Sequence, residues 1–137
     1  MCGILGFQIF APGNQTLSRG DTLSGLREIL KDINLHAGSL ESNPSLFNII
    51  LKIKPSEVYH LAAQSYVVYS LEDEFSTINI NVNGTHYLLS AVKEFAASKV
   101  KFYFASSSEM FGNVKEIPQN ENTPFYPRSS YGISKVT

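Results

Sequence analysis

Three short apolar runs, separated by longer amphipathic stretches, set the pattern of this chain. They cover residues 3–10, the central segment EVYHLAA at 57–63 and the segment VKFYFA at 100–105. Runs of this length that end at turn residues are typical of buried strands. We therefore predict a strand in each of the three regions.

Between these runs, apolar residues recur at helical spacing. Such stretches begin near Asp21, near Asn43, which we expect to cap its helix, and near Asn81. A last helix is expected to start at Ser129 or Ser130. Because strands alternating with helices favour βα crossovers, we predict an α/β fold, a partial doubly wound parallel sheet of about four strands.

Composition and charge narrow the class of protein. Apolar residues make up 43% of the chain and the formal net charge is −1, which favours a folded domain without the basic surface that attracts nucleic acids or anionic membranes. No apolar stretch reaches the roughly 20 residues that span a bilayer, and the chain start does not resemble a signal peptide. The single cysteine, Cys2, cannot form an internal disulfide. We expect a cytoplasmic protein with no nucleic-acid, membrane or metal-binding role.

Polar residues follow two of the predicted strands. LAAQS at 61–65 comes after the central strand, and SSSEMFG at 106–112 comes after the C-terminal one. Ligands of open α/β sheets bind beyond the C-terminal ends of the strands, so both clusters are candidates for a binding site. The alternative is that the serines only satisfy backbone groups at the strand end and that Glu109 is a solvated loop carboxylate.

Tyr131 and Lys135 have the spacing of one helix face. A lysine ammonium beside a phenol stabilises the phenolate and makes the tyrosine a useful general base. The Ser-rich strand end precedes this pair by enough chain for a loop to return beside the helix. On spacing alone, an ordinary surface pair is the alternative.

Three segments together resemble one enzyme family. KPSEVYHLAAQSYV, NVNGTHYLLSAVKE and KFYFASSSEMFGNVKEIPQNENTPFYPRSSYGISK are similar to the GDP-mannose 4,6-dehydratase branch of the extended short-chain dehydrogenase/reductase superfamily. The resemblance covers roughly residues 35–137. It implies two regions, an atypical N-terminal segment at 1–34 and a partial NADP-binding Rossmann-type dehydratase domain at 35–137.

The resemblance also implies a reaction and a set of catalytic residues. In this family a tightly bound NADP accepts hydride from sugar C4, water is eliminated across C5–C6, and the hydride returns at C6, which converts GDP-mannose into GDP-4-keto-6-deoxy-mannose. Carried over by position, Tyr131 is the base at the C4 hydroxyl and Lys135 supports it and holds the nicotinamide ribose. Ser107 binds the C4 oxygen, and Glu109 abstracts the C5 proton.

Further positions match the cofactor site and the scaffold of the family. Asn81 matches a structural asparagine that links the central strands of the family. The alternative is that Asn81 only caps the helix that follows it. Gly84 is expected to allow close helix packing. The residues that match the cofactor site are Ser39, Leu40, Leu61, Ala62, Ala63, Gln64, Ser65 and Lys135.

The sequence departs from the family at both ends. Gly3 and Gly6 have the first spacing of the family's glycine-rich phosphate-binding turn, but the third glycine is missing, and the chain stops two residues beyond Lys135. We therefore expect a truncated form with weak cofactor affinity, whose unpaired sheet edges favour a homo-oligomer. One alternative is a catalytically incompetent α/β fragment or scaffold. The other is a remnant of a class II glutamine amidotransferase with Cys2 as nucleophile, because the segment MCGILGF resembles the start of that family.

Overall fold

A four-stranded sheet and five α-helices make up the described part of the chain. The computed structural model describes residues 8–11, 14–16, 36–95 and 100–137. The strands are β1 (Gln8–Ala11), β2 (Asn14–Thr16), β3 (Glu57–His60) and β4 (Lys101–Phe104), in the spatial order β2-β1-β3-β4. The helices are α1 (Asn43–Ile53), α2 (Val67–Glu72), α3 (Glu74–Ile78), α4 (Gly84–Phe95) and α5 (Ser130–Val136). Within these ranges, no helix is long and apolar enough to cross a bilayer.

The predicted α/β fold class is confirmed. β3 and β4 run parallel, with Val58 opposite Phe102, and α2 to α4 lie in the crossover between them. β1 departs from the expected parallel arrangement, because it pairs antiparallel with both β2 and β3. Only two residues separate β1 from β2, and a connection that short joins antiparallel strands. The helix predicted near Asp21 lies outside the described residues, as does the first part of the predicted strand 3–10.

Buried apolar residues from α1, β3 and α4 form one core. Phe47 on α1 meets Phe95 on α4 edge-on, with ring centroids 5.4 Å apart. Gly84 lies so close to Leu40 that a Cβ on the glycine would stand 2.6 Å from the Leu40 Cβ, so the close packing expected at Gly84 is confirmed. The buried members of the core are Leu40, Leu46, Ile49, Ile50, Val58, Ala62, Ile80, Leu88 and Ala91.

Ser42, rather than Asn43, caps α1. The Ser42 hydroxyl accepts a hydrogen bond from the Ser45 N–H at 3.4 Å, and Asn43 is already the first residue of the helix. The predicted cap was therefore wrong by one residue. Serine and asparagine are comparable caps, so two of them side by side give no basis for choosing from the sequence.

Candidate active site

The strand end after β4 holds the first two predicted catalytic residues. Ser107 has an extended backbone and begins a single 3-10 turn, Ser108–Met110. Its hydroxyl accepts a hydrogen bond from the Glu109 N–H at 3.2 Å. Both Ser107 and Glu109 are half-buried, so each keeps a surface open to a ligand.

Helix α5 carries the other two predicted catalytic residues. Ser129 starts the helix by accepting the Gly132 N–H at 3.0 Å, which confirms the predicted start. Tyr131 is 9% exposed, and its hydroxyl has no hydrogen-bond partner among the described residues. Lys135 is 5% exposed, and its Nζ donates to the Ala105 carbonyl at 2.8 Å. Burial lowers the pKa of the Lys135 ammonium from its ordinary value.

Gly132 lets α5 contact the strand-end turn directly. A Cβ at this position would stand 2.6 Å from the Glu109 carbonyl oxygen and 3.1 Å from the Pro127 Cβ. Since Lys135 also reaches Ala105 at the other end of the same segment, α5 touches that segment at both ends. Ser107, Glu109, Tyr131 and Lys135 therefore belong to two segments in direct contact, and their catalytic roles stay predictions.

We expect Gly132→Ala to destabilise the fold by about 2 kcal/mol, because the added methyl overlaps a backbone oxygen that cannot move without displacing the turn. The sign is the informative part, since Gly→Ala inside a helix ordinarily stabilises it by about 1 kcal/mol. Urea unfolding monitored by circular dichroism measures the change. Ile133→Ala, at the exposed neighbouring position, is the matched control and should cost less than about 1 kcal/mol. A stabilised Gly132→Ala variant would show that the contact is not tight.

Asn81 joins the loop after β3 to α5. It lies in a π-helical turn, Asn79–Asn83, that continues directly into α4, so the interpretation of Asn81 as a helix cap is wrong. Its Oδ1 accepts the Gln64 N–H at 2.7 Å, and its Nδ2 donates to the Gln64 carbonyl at 3.0 Å and to Ser134 Oγ at 2.9 Å. The resemblance implied a link between the central strands, whereas in the structure the Asn81 side chain links the loop after β3 to the helix of Tyr131 and Lys135.

The predicted cofactor residues fall into two environments. After β3, Leu61 and Ser65 are exposed, Ala63 is half-buried, Ala62 is buried, and Gln64 is held by Asn81. Ahead of α1, the Ser39 N–H donates to Ser45 Oγ at 3.2 Å. Leu40 is 0% exposed in the core and offers no surface to a ligand. A direct cofactor contact does not fit the burial of Leu40, and cofactor binding by the other residues stays a prediction.

One side chain at the site was missed by reasoning from sequence. Arg128 lines a pocket of about 430 Å³ together with Glu109, so a basic and an acidic residue border the same space. The chain returns to this point because Gly112 has a φ of 48° and lies so close to the Tyr126 carbonyl oxygen that a Cβ would stand 2.2 Å from it. No spacing rule marks Arg128 in the sequence, since its position depends on this fold-back. The full lining is Ser108, Glu109, Gly112, Asn113 and Arg128.

The described residues fit the nicotinamide-ribose part of a dinucleotide. An ammonium has three N–H donors, and the Lys135 ammonium uses one of them on Ala105. The unpartnered Tyr131 hydroxyl lies one helical turn away, and the partly exposed loop 61–65 follows the adjacent strand. In the described ranges, no group of three or more His, Cys, Asp or Glu side chains is arranged to hold a metal ion.

The family comparison decides the relationship of this chain to known proteins. A family model described as GDP-mannose 4,6 dehydratase matches residues 11–137. The chain belongs to this dehydratase family. The resemblance of the first seven residues to an amidotransferase has no support here, because the match begins at residue 11 and residues 1–7 lie outside the described part.

Individual relatives agree with the family assignment. The chain is 47% identical over 106 residues to human GDP-mannose 4,6 dehydratase, covering 77% of this chain and 28% of the human protein. It is 44% identical over 109 residues to the Vibrio cholerae enzyme of that name, with 77% and 29% covered. The chain thus spans less than a third of the length of these relatives.

Solved structures share the fold of the dehydratase-family chain. RMD from Pseudomonas aeruginosa, complexed with NADPH, is 32% identical with a TM-score of 0.68, and the match covers 82% of this chain and 40% of that one. A UDP-glucose 4-epimerase from Thermotoga maritima, with UDP-glucose, is 26% identical with a TM-score of 0.75, covering 88% and 39%. Nicotinamide cofactors and nucleotide sugars are therefore ligands of proteins with this fold.

Proposed function

We propose that this chain carries the catalytic residues of a GDP-mannose 4,6-dehydratase. Such an enzyme is a lyase that converts GDP-mannose into GDP-4-keto-6-deoxy-mannose with NADP as cofactor. The observation that supports the proposal is the contact of α5 with the strand-end turn at Gly132, since α5 carries the Tyr–Lys pair and the contacted segment carries Ser107 and Glu109. A dehydrogenation at C4 needs tyrosine, lysine and serine side chains. The elimination of water needs in addition a base, and Glu109 supplies the carboxylate for it.

Each residue has a role that its surroundings support. The Tyr131 oxygen, in the phenolate form that a neighbouring ammonium stabilises, takes the proton from the sugar C4 hydroxyl, and Ser107 donates a hydrogen bond to the C4 oxygen. Lys135 stays near the phenol as a cation, anchored by Ala105. Glu109 lines the same pocket as Arg128. It removes the proton at C5 and returns it to the C6 hydroxyl, which leaves as water as the C6–O bond breaks. The Arg128 guanidinium keeps that pocket polar and suited to a hydroxylated sugar.

The cofactor site in the proposal extends across the C-terminal edge of β3 and β4. Lys135 and the loop residues Leu61, Ala62, Ala63, Gln64 and Ser65 would hold the nicotinamide ribose, and Ser39, next to the buried Leu40, would face the adenine end. NADP, when bound, supplies the hydride acceptor and donor. The domain in this proposal is residues 35–137, and the location is the cytoplasm, in keeping with a single cysteine.

Turnover and cofactor binding are tested together. Purified chain is incubated with NADP and GDP-mannose, and the 4-keto product is detected by its absorbance in alkali and by mass spectrometry. Product formation is the expected result. Calorimetric titration with NADP alone separates the alternatives, because absence of both binding and product would favour a catalytically incompetent fragment or scaffold over an enzyme.

We also propose that the chain self-associates. Several large apolar side chains on or beside α2 and α3 are exposed, among them Phe75 at 87% and Leu71 at 59%, and β4 pairs with only one described strand.

We expect Phe75→Ser to weaken self-association about tenfold or more, because an aromatic side chain that exposed contributes through contacts with another copy rather than to the fold. Sedimentation velocity over a concentration series measures the change. Ile117→Ser is the matched control, since Ile117 is 84% exposed on the separate loop before Arg128. Equal effects of the two substitutions, or a monomer at every concentration, would count against the proposal.

A further inference from the structure

His60, the last residue of β3, is a buried titratable residue with no part in the proposed chemistry. It is 1% exposed, and its ring lies near those of Phe102 and Phe104, with centroids 6.3 and 5.6 Å away. Burying a polar ring costs free energy unless the ring is hydrogen-bonded, so the hydrogen bonds of His60 determine whether its burial is compensated.

The hydrogen bonds around His60 determine which nitrogen carries the proton. Thr85 has one hydroxyl proton, and it donates that proton to the Asn81 carbonyl at 2.6 Å. The contact of 2.9 Å between Thr85 Oγ1 and His60 Nε2 therefore needs the imidazole as donor. This pattern assigns the Nε2–H tautomer to His60, whose Nδ1 is buried without a partner among the described residues.

The chain of hydrogen bonds continues from His60 to α5. Thr85 binds the Asn81 backbone, and the Asn81 side chain donates to Ser134 Oγ at 2.9 Å. Ser134 in turn donates to the Tyr131 carbonyl at 2.8 Å. Ser134 stands between Tyr131 and Lys135 on the helix, so the chain ends within the segment that presents both side chains.

A second contact links His60 to the same helix. The Lys135 Nζ lies 4.6 Å from the centroid of the Phe104 ring, whose centroid is 5.6 Å from that of His60. The aromatic ring thus separates the imidazole from the ammonium. Burial, and then the charge of Lys135, lower the pKa of His60 to about 4, so the imidazole stays neutral beside the ammonium.

We propose that His60 is a positioning residue for α5, whose Nε2–H donor sets, through Thr85, Asn81 and Ser134, where the helix holds Tyr131 and Lys135. The inference rests on the proposed function for its catalytic meaning. Its physical content concerns the site alone: without the donor, α5 moves away from the strand end and Lys135 becomes more accessible to water.

Lys135 itself reports on this change, because burial is what lowers the pKa of its ammonium. The full chain, labelled with ¹³C and ¹⁵N, is titrated by NMR without any ligand. His60→Phe keeps a planar ring but removes the donor, and His60→Gln restores an N–H donor close to the position of Nε2. Ile50→Val, a buried core substitution on α1 outside the hydrogen-bond chain, controls for a loss of stability alone.

The pKa of Lys135 is expected to rise in His60→Phe, to return to the wild-type value in His60→Gln and to stay unchanged in Ile50→Val. In the wild-type chain, the imidazole proton of His60 is expected on Nε2. Identical Lys135 titrations in His60→Phe and wild type, or a proton on Nδ1, would overturn the proposal. If His60→Phe does not fold, Ser134→Ala cuts the far end of the chain and the same rise is expected. Because the titration needs neither NADP nor GDP-mannose, its failure is separate from a failure of turnover.

Discussion

In the proposed reaction, turnover of GDP-mannose is expected to fall about a thousandfold in Tyr131→Phe, the range typical of losing a general base. The substitution removes one oxygen and leaves the aromatic ring of this α5 residue, which is 9% exposed, in place. The Tyr131 hydroxyl makes no hydrogen bond to the described residues, so its removal leaves no group of the fold unsatisfied. Activity should therefore fall while the free energy of unfolding stays nearly constant.

Initial rates of 4-keto product formation, with urea unfolding of the same preparations, measure the two quantities separately. Tyr126→Phe is the matched control, because Tyr126 is 46% exposed on the loop that precedes α5 and loses the same oxygen. Its rate should stay within about twofold of wild type. A Tyr131→Phe variant with an unchanged rate would remove Tyr131 from the proposed chemistry.

Lowering the pH from about 6.5 to about 4 is expected to cost the fold about 3 kcal/mol through His60. Burial, followed by the charge of Lys135, lowers the pKa of His60 from 6.5 to about 4 in the folded chain. As the pH falls through this window, the unfolded chain takes up the proton first, so stability is lost at up to about 1.4 kcal/mol per pH unit. Above the window His60 contributes no slope, and below it the loss is complete.

Urea unfolding at half-unit pH steps measures this dependence. His60→Gln has no titratable ring and should flatten most of the slope. His36→Gln is the comparison, since burial and Lys52 also lower the pKa of His36, but its ring is only partly buried and it should leave most of the slope in place. If the free energy of unfolding of His60→Gln changes with pH as steeply as that of the wild type, groups other than His60 cause the acid sensitivity.

The sequence pattern was a good guide to those features that depend on local spacing. The apolar runs located β3 and β4, and the interval between Tyr131 and Lys135 placed both on one helix. The antiparallel pairing of β1 was not foreseen, because the alternation of strands and helices carries no information on strand direction. Ser42 as the cap of α1 was missed because two equivalent cap residues are adjacent.

Features that depend on contacts between distant segments were beyond the reach of the sequence pattern. Arg128 shares a cavity with Glu109 only because the chain folds back at Gly112. Nothing in the sequence pattern marks Gly132, although the contact with the Glu109 carbonyl requires it to lack a side chain. The role of His60 rests on a hydrogen bond to a residue 25 positions away, which no periodicity reveals.

The π-helical turn at Asn79–Asn83 joins α3 and α4 into one continuous helix and changes the direction in which the side chains on either side of it face. One additional residue in a helix rotates everything beyond it by about 100° around the axis. α3 before the turn packs on α5, and α4 after it packs on α1, so a single rod can face the catalytic helix at one end and the apolar core at the other. A deletion of one residue in this turn would bring the two faces back into line, and only one of the two partners could then remain in contact.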